Sequence, residues 1–159
     1  MRIGFGYDVP QLVENAPFAL GGIVITHHKG ATGHSDADTL IHALCDALLG
    51  AANIGDIGLY FPDSDPALKG IDSKVLLQKV MMMITQKGYR VVNIDTTICL
   101  QQPKLRPYIS QMQEALATVM HIPVADISIK ATTTEKLGFA GREEGVAVYA
   151  AVLLDSAGK

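Results

Sequence analysis

The sequence predicts an α/β (α+β) fold: a two-layer sandwich with one mixed β-sheet and about three helices on one face. Two observations carry this expectation. Stretches rich in Val, Ile and Thr alternate with stretches of helical periodicity, in the order strands, helix, helix, strand, helix, strand, strand. Hydrophobic residues make up 48% of the chain against 18% charged, which is apolar enough to imply burial against other subunits. Three helices cover one sheet face only. The other face then needs a partner, which suggests a closed homo-oligomer. The length of 159 residues favours one domain over residues 1–159.

Each element has a local reason. Arg2 to Val9 is short and strand-like, with Asp8 and position 10 on one side. Position 10 is Pro, which ends the strand or confines it to an edge. Phe18 to Thr26 reads as strand with a turn or bulge at Gly21–Gly22, and His27, His28 and Lys29 read as a solvated loop. The central helix lies within Gly33–Gly58. Ser35, followed three residues later by Asp38, marks its start, and Gly50 or Asn53–Gly55 its stop. Leu40, Ile41, Leu44, Ala47, Leu48 and Leu49 give it a broad apolar face. Tyr60 to Asp65 is a loop, with Pro62 and Pro66 preventing helix. Asp63 and Asp65 suit turns or ligation.

Ser73 to Gln86 is a second helix closed by Gly88, with Met81–Met83 filling core. Tyr89 to Leu100 is a strand. Gln101 to Pro107 is a rigid loop carrying Lys104 and Arg106, and Ile109 to Met120 is a third helix. Asp126 to Thr134 is a strand running into Glu135 and Lys136. Gly138 to Gly145 is a glycine-rich loop, and Val146 to Leu154 the closing strand.

Several classes of function are disfavoured. No apolar run approaches the roughly 20 residues that span a bilayer, and the N-terminus lacks a signal-peptide pattern. Cys45 and Cys99 read as buried thiols in a reducing, cytoplasmic compartment. A net charge of −3 without a basic block argues against nucleic acid.

The chemistry concentrates in a few places. Asp38, His42 and Asp46 stand four apart on the central helix, with His34 and Asp36 before it and Asp56 after it. Each alone reads as a cap or a core residue. Together they suit a divalent metal site or acid–base chemistry. Thr132, Thr133, Thr134 and Glu135 end a strand with three hydroxyls and an acid, a set able to hold phosphate oxygens and Mg²⁺, or simply a β-branched strand end. Lys104 and Arg106 suit an anion or solvent. These residues alone suggest a metal-dependent phosphoesterase.

The motifs HSDAD at His34–Asp38, DALLGAANIGDIG at Asp46–Gly58, FPDSDP at Phe61–Pro66, KATTTEKLGFAGR at Lys130–Arg142 and GYDV at Gly6–Val9 resemble the 2-C-methyl-D-erythritol 2,4-cyclodiphosphate synthase family over the whole chain. The resemblance implies a homotrimer with active sites between neighbouring subunits. It implies conversion of 4-diphosphocytidyl-2-C-methyl-D-erythritol 2-phosphate to the cyclodiphosphate plus CMP, in the non-mevalonate route to isoprenoids. It implies Asp8 and His42 as zinc ligands, and His34 with Ser35, and Thr133, as stabilisers of the transition state. Glu135, within Thr132–Glu135, corresponds to a ligand of Mg²⁺ or Mn²⁺. Asp56, Ile57 and Gly58, with Phe61 to Asp65 including Asp63, correspond to the methylerythritol pocket. Leu100 to Arg106, with Lys104 and Leu105, correspond to the cytidine pocket of the adjacent subunit. Phe139 and Arg142 correspond to the far end of the site, bordering a central cavity able to hold an isoprenoid diphosphate. The family pattern Asp-x-His stands here as Asp8–Val9–Pro10, so a zinc ligand is replaced. The alternative implied is a catalytically weakened trimer that retains nucleotide or isoprenoid-diphosphate binding.

Overall fold

The computed structural model describes residues 1–158. The chain runs β1 (Arg2–Asp8), β2 (Leu12–Glu14), β3 (Phe18–Leu20), β4 (Ile23–Ile25), β5 (Lys29–Ala31), α1 (Thr39–Ala51), α2 (Ile57–Tyr60) and α3 (Ser73–Gln86). It continues β6 (Tyr89–Cys99), α4 (Ile109–Met120), β7 (Ile127–Thr132), α5 (Gly138–Gly141) and β8 (Ala147–Ser156). The main sheet has the order β1-β8-β6-β7. It is mixed, because only β6 and β7 run parallel. Helices α1, α3 and α4 cover one face, with α1 on β1 and β8, and α4 on β7. No described helix is long and apolar enough to cross a membrane.

Period-two alternation builds the sheet. In β1, Gly4 and Gly6 point at α1 and Ile3, Phe5 and Tyr7 point away. A Cβ at Gly4 would stand 1.9 Å from the Ala47 carbonyl oxygen, and one at Gly6 would stand 1.8 Å from that of Ala43. The strand therefore lies backbone to backbone on the helix, which only glycine permits. Leu40, Ile41, Leu44, Leu48 and Leu49 of α1 are fully buried at the centre of the core. Burying such side chains is worth about 1.5–3 kcal/mol each.

The outer face of the sheet is unlike the inner one. Ile3 is 78% and Phe5 65% exposed there, with Tyr7 beside Tyr149 at a ring separation of 5.0 Å. Towards β7 the same face turns polar: the Lys130 ammonium donates to the Asp95 carboxylate at 2.5 Å, and this pair holds the Asp95 carboxyl below its ordinary range.

The second and third helices have the expected bounds. Other elements differ in detail. Phe18–Thr26 is a hairpin of two short strands, because Gly21 and Gly22 both take positive φ, at 63° and 80°. The His27–His28 loop leads into β5, which pairs with β2 as a ribbon that three-residue strands did not advertise. The glycine-rich stretch contains a single helical turn, α5. The strand expected to reach Thr134 stops at Thr132, where Glu135 and Lys136 follow with positive φ.

The start of α1 also differs. Asp38, not Ser35, is the cap: its side chain accepts from the Ile41 amide at 3.1 Å. It also accepts from the amides of Gly21 at 2.9 Å and Gly22 at 2.7 Å, tying the hairpin turn to the helix. Burial raises the Asp38 pKa, and the three amides pull it back. Asp38 is thus structural and separate from the polar stripe it was grouped with.

Candidate active site

His42 sits in the first turn of α1, its amide donating to the Asp38 carbonyl at 3.0 Å. Its Nδ1 lies 3.7 Å from Asp8 Oδ2 at the end of β1. Its Nε2 lies 3.0 Å from both Ser35 Oγ and Ser73 Oγ. His34 Nε2 donates to the Asp65 carbonyl at 2.7 Å, which anchors the loop after α2. These groups open on a cavity of about 470 Å³, lined among others by Asp8, Pro10, Ser35, Phe61 and Asp63.

Two acids shape the cavity without lining it. Asp56 caps α2, accepting from the Leu59 amide at 2.9 Å. Asp46 accepts from the Ile57 amide at 2.8 Å. Together they present Ile57 and Gly58 to the cavity. Burial raises the Asp46 pKa; the Ile57 amide opposes this, and the nearby Asp56 and Asp8 charges add to it. Asp65 caps the turn at Pro66–Leu68 through the Ala67 amide.

A second cavity, of about 670 Å³, is lined by Leu100, Lys104, Leu105, Arg106, Thr132 and Thr133, with Lys130 and Ile129 from β7. Three cations, two hydroxyls and an apolar floor suit a phosphorylated, planar ligand. Glu135 and Thr134 follow directly but line neither cavity. The Glu135 amide approaches Thr133 Oγ1 at 3.3 Å, and Thr134 Oγ1 donates to the Leu137 carbonyl at 2.7 Å. Phe139 and Arg142 also lie outside both cavities. Arg142 forms a two-point ion pair with Glu144, at 2.8 Å and 3.3 Å, which raises the Arg142 pKa and lowers that of Glu144. The two cavities of one chain share no lining residue.

The donor set fits a metal in part. Two ligands of a tetrahedral zinc, each about 2.0–2.1 Å from the ion, stand roughly 3.4 Å apart. The 3.7 Å gap between His42 Nδ1 and Asp8 Oδ2 accommodates that with a small shift. Position 10 adds nothing, since proline has no side-chain lone pair. Among the described residues no three His, Cys, Asp or Glu side chains converge on one point. His27 and His28 pack against each other in another loop, ring centroids 4.2 Å apart and inclined at 53°.

Sequence reasoning brought Asp8, His34, Ser35, Asp36 and His42 together and missed two partners, Ser73 and Lys130. Ser73, fully buried, reaches His42 from the start of α3, and Asp36, in the segment before α1, accepts the Ser73 hydroxyl without touching the ring. Lys130 enters the second cavity from an exposed strand position. Period-two alternation could have placed Lys130; nothing in the sequence marked Ser73 as a partner.

A one-sheet α+β sandwich with a carboxylate–imidazole pair in one cavity and cations with hydroxyls in another defines a phosphate-handling protein of the cyclodiphosphate-synthase type. Residues 1–155 match the YgbB family, and the chain belongs to that family. It is 57% identical to 2-C-methyl-D-erythritol 2,4-cyclodiphosphate synthase of Syntrophobacter fumaroxidans over 159 residues, covering 100% of both chains. Among solved structures it resembles the bifunctional IspDF from Campylobacter jejuni at 42% identity and a TM-score of 0.94, covering 98% of this chain and 42% of that one. It also resembles 2C-methyl-D-erythritol-2,4-cyclodiphosphate synthase in its CDP-bound form, at 38% identity and a TM-score of 0.89, covering 97% of this chain and 100% of that one.

Proposed function

We propose that this chain converts 4-diphosphocytidyl-2-C-methyl-D-erythritol 2-phosphate to 2-C-methyl-D-erythritol 2,4-cyclodiphosphate and CMP, as a lyase of isoprenoid biosynthesis. The observation that carries the reading is the division of phosphate-binding chemistry between two separate cavities, in a chain whose full-length relatives bear that activity. An oxygen of the 2-phosphate attacks the β-phosphorus of the CDP group. The new P–O bond closes the ring while the bond from β-phosphorus to the bridging oxygen breaks, and that oxygen leaves with CMP. No protein nucleophile is needed, so catalysis rests on positioning and charge neutralisation.

The roles follow from chemistry. Lys104, Arg106 and Leu100–Leu105 hold the cytidine and its phosphates. Thr133 donates its hydroxyl proton to a phosphate oxygen, while Thr132 and Thr134 give theirs to the Thr133 and Leu137 carbonyls and hold the loop, and Glu135 is offered to Mg²⁺ or Mn²⁺. Ile57, Gly58, Phe61 and Asp63 enclose the methylerythritol. His34 and Ser35 face the attacking phosphate. Asp8 and His42 would hold zinc, which supplies Lewis-acid polarisation of a phosphate oxygen.

Because one chain keeps the two cavities apart, we propose a homotrimer in which the second cavity of one subunit meets the first of its neighbour. The apolar outer face, with Ile3, Phe5 and Tyr7, supports burial against other copies. That core, with Phe139 and Arg142 at its border, suits an isoprenoid diphosphate on the symmetry axis. Free Cys45 and Cys99 suit a reducing cytoplasm.

The test follows CMP release and the phosphorus spectrum of the product, with light scattering on the same sample. Cyclic diphosphate with stoichiometric CMP, from particles of three 17.0 kDa chains, is expected. Inorganic phosphate in place of CMP, or a monomer, refutes the reading.

A further inference from the structure

The hydrogen bonds behind His42 run in one direction only, and that direction follows from proton counting. Asp36 Oδ1 accepts from the Asp38 amide at 3.1 Å and Oδ2 from the Ser73 amide at 3.1 Å. With both oxygens already acting as acceptors, the carboxylate also receives the Ser73 hydroxyl proton, at 2.5 Å. Serine has one hydroxyl proton. Once it is given to Asp36, Ser73 Oγ approaches His42 Nε2 at 3.0 Å only as an acceptor. The proton of a neutral His42 therefore sits on Nε2, and the Nδ1 lone pair faces Asp8.

Ser35 completes the count. Its Oγ lies 3.0 Å from the same Nε2 and takes the Ala37 amide at 3.2 Å. As a neighbour of an Nε2–H donor, it accepts from that side too. Its own hydroxyl proton is then left for the cavity that Ser35 lines.

We infer that Asp36 and Ser73 are positioning residues, which fix the His42 tautomer and turn the Ser35 hydroxyl proton toward the ligand. Neither residue touches the cavity ligand itself; both act through His42. Without Ser73, the Asp8 carboxylate on the other side of the ring is the stronger acceptor. It draws the proton to Nδ1, and Ser35 turns its hydroxyl back to Nε2. The lone pair facing Asp8 is lost, and so is the donor offered to an incoming phosphate.

The purpose assigned to this relay, readying Nδ1 for a metal, rests on the zinc reading above. The tautomer itself does not. Ser73→Ala suits the test because Ser73 is the first residue of α3 and the cap is Asp72, so alanine leaves the helix intact. Nitrogen NMR of histidine-labelled, metal-free full chain, at a pH where imidazole is neutral, reads the tautomer. Nε2–H is expected in the unaltered chain and in Ser73→Thr, which keeps the hydroxyl, and mainly Nδ1–H in Ser73→Ala. Zinc titration of the same samples should show 10- to 100-fold weaker binding in Ser73→Ala, the usual range for losing a partner that orients a ligand. An unchanged tautomer in Ser73→Ala, or an altered one in Ser73→Thr, overturns the relay. A shifted tautomer with unchanged zinc affinity overturns its purpose. An unaltered chain that binds no zinc but shows the expected tautomers overturns the zinc reading and leaves the relay standing.

Discussion

Pro10→His should convert a two-ligand zinc site into a three-ligand one. The existing pair spans 3.7 Å, between His42 Nδ1 and Asp8 Oδ2. Asp8 is the last paired residue of β1, so residue 10 lies just past the strand end. The backbone there is anchored independently of the proline ring. The Pro10 carbonyl accepts from the Val146 amide at 3.4 Å, and Gln11 bridges to Gly145. An imidazole at position 10 therefore starts from a fixed base beside Asp8. A full four-ligand zinc site is worth roughly 10–16 kcal/mol, so one ligand in four accounts for about 3 kcal/mol. At about 1.4 kcal/mol per tenfold change, that is roughly a hundredfold in zinc affinity. Competition against a chromophoric chelator gives the affinity of both proteins, and CMP release at limiting zinc gives the rate. Pro10→His should bind about a hundred times tighter and turn over faster until added zinc closes the difference. Equal, tight binding by both proteins would mean that a residue outside Asp8 and His42 already completes the site.

Three further outcomes are expected. Lys104→Ala and Thr133→Ala should each weaken CDP binding by about 1–3 kcal/mol, the range for a hydrogen bond to a charged group; unchanged calorimetric affinity in both would refute the nucleotide placement. Asp38→Ala leaves three amides, two buried and one partly buried, without their acceptor and should cost about 3–6 kcal/mol, or roughly 10–20 °C in Tm for a chain of this length; a shift under about 3 °C in calorimetry would refute its structural role. The Asp95 carboxyl is held low by Lys130, so its contribution is present above the unfolded pKa near ~3.9 and lost as pH falls through the lower folded value. The pair is half exposed, so Asp95→Asn should cost under about 1 kcal/mol at neutral pH and nothing in strong acid by urea unfolding, whereas a pH-independent difference would contradict the pairing.

The parts of this fold that follow from short-range pattern were legible. The helices at Ser73–Gln86 and Ile109–Met120 have apolar periodicity and clear stops, and they appear with those bounds. The site was legible where one motif carries several residues of the first cavity, as in His34–Ser35 and His42. It was not legible where a side chain chooses between two long-range partners. Asp38 looks like a member of the polar stripe, but the amides of Gly21 and Gly22 claim it, and those lie 17 and 16 residues away. Ser73 looks like an ordinary helix start until α3 packs against α1 and brings its hydroxyl to His42. The ribbon of β2 and β5 was missed because three-residue strands carry too little alternation to register.

The contact between β1 and α1 has a consequence for the chemistry. Gly6 meets the helix at Ala43, one residue from His42, and two residues before Asp8 on the same side of its strand. The distance between carboxylate and imidazole is therefore gauged by a residue with no side chain, standing outside the cavity. A methyl group at position 6 would act as a spacer between strand and helix, opening the jaws that Asp8 and His42 form without changing either side chain. Gly6 works as the caliper of the pair: it sets the span between Asp8 and His42 without lining the cavity itself.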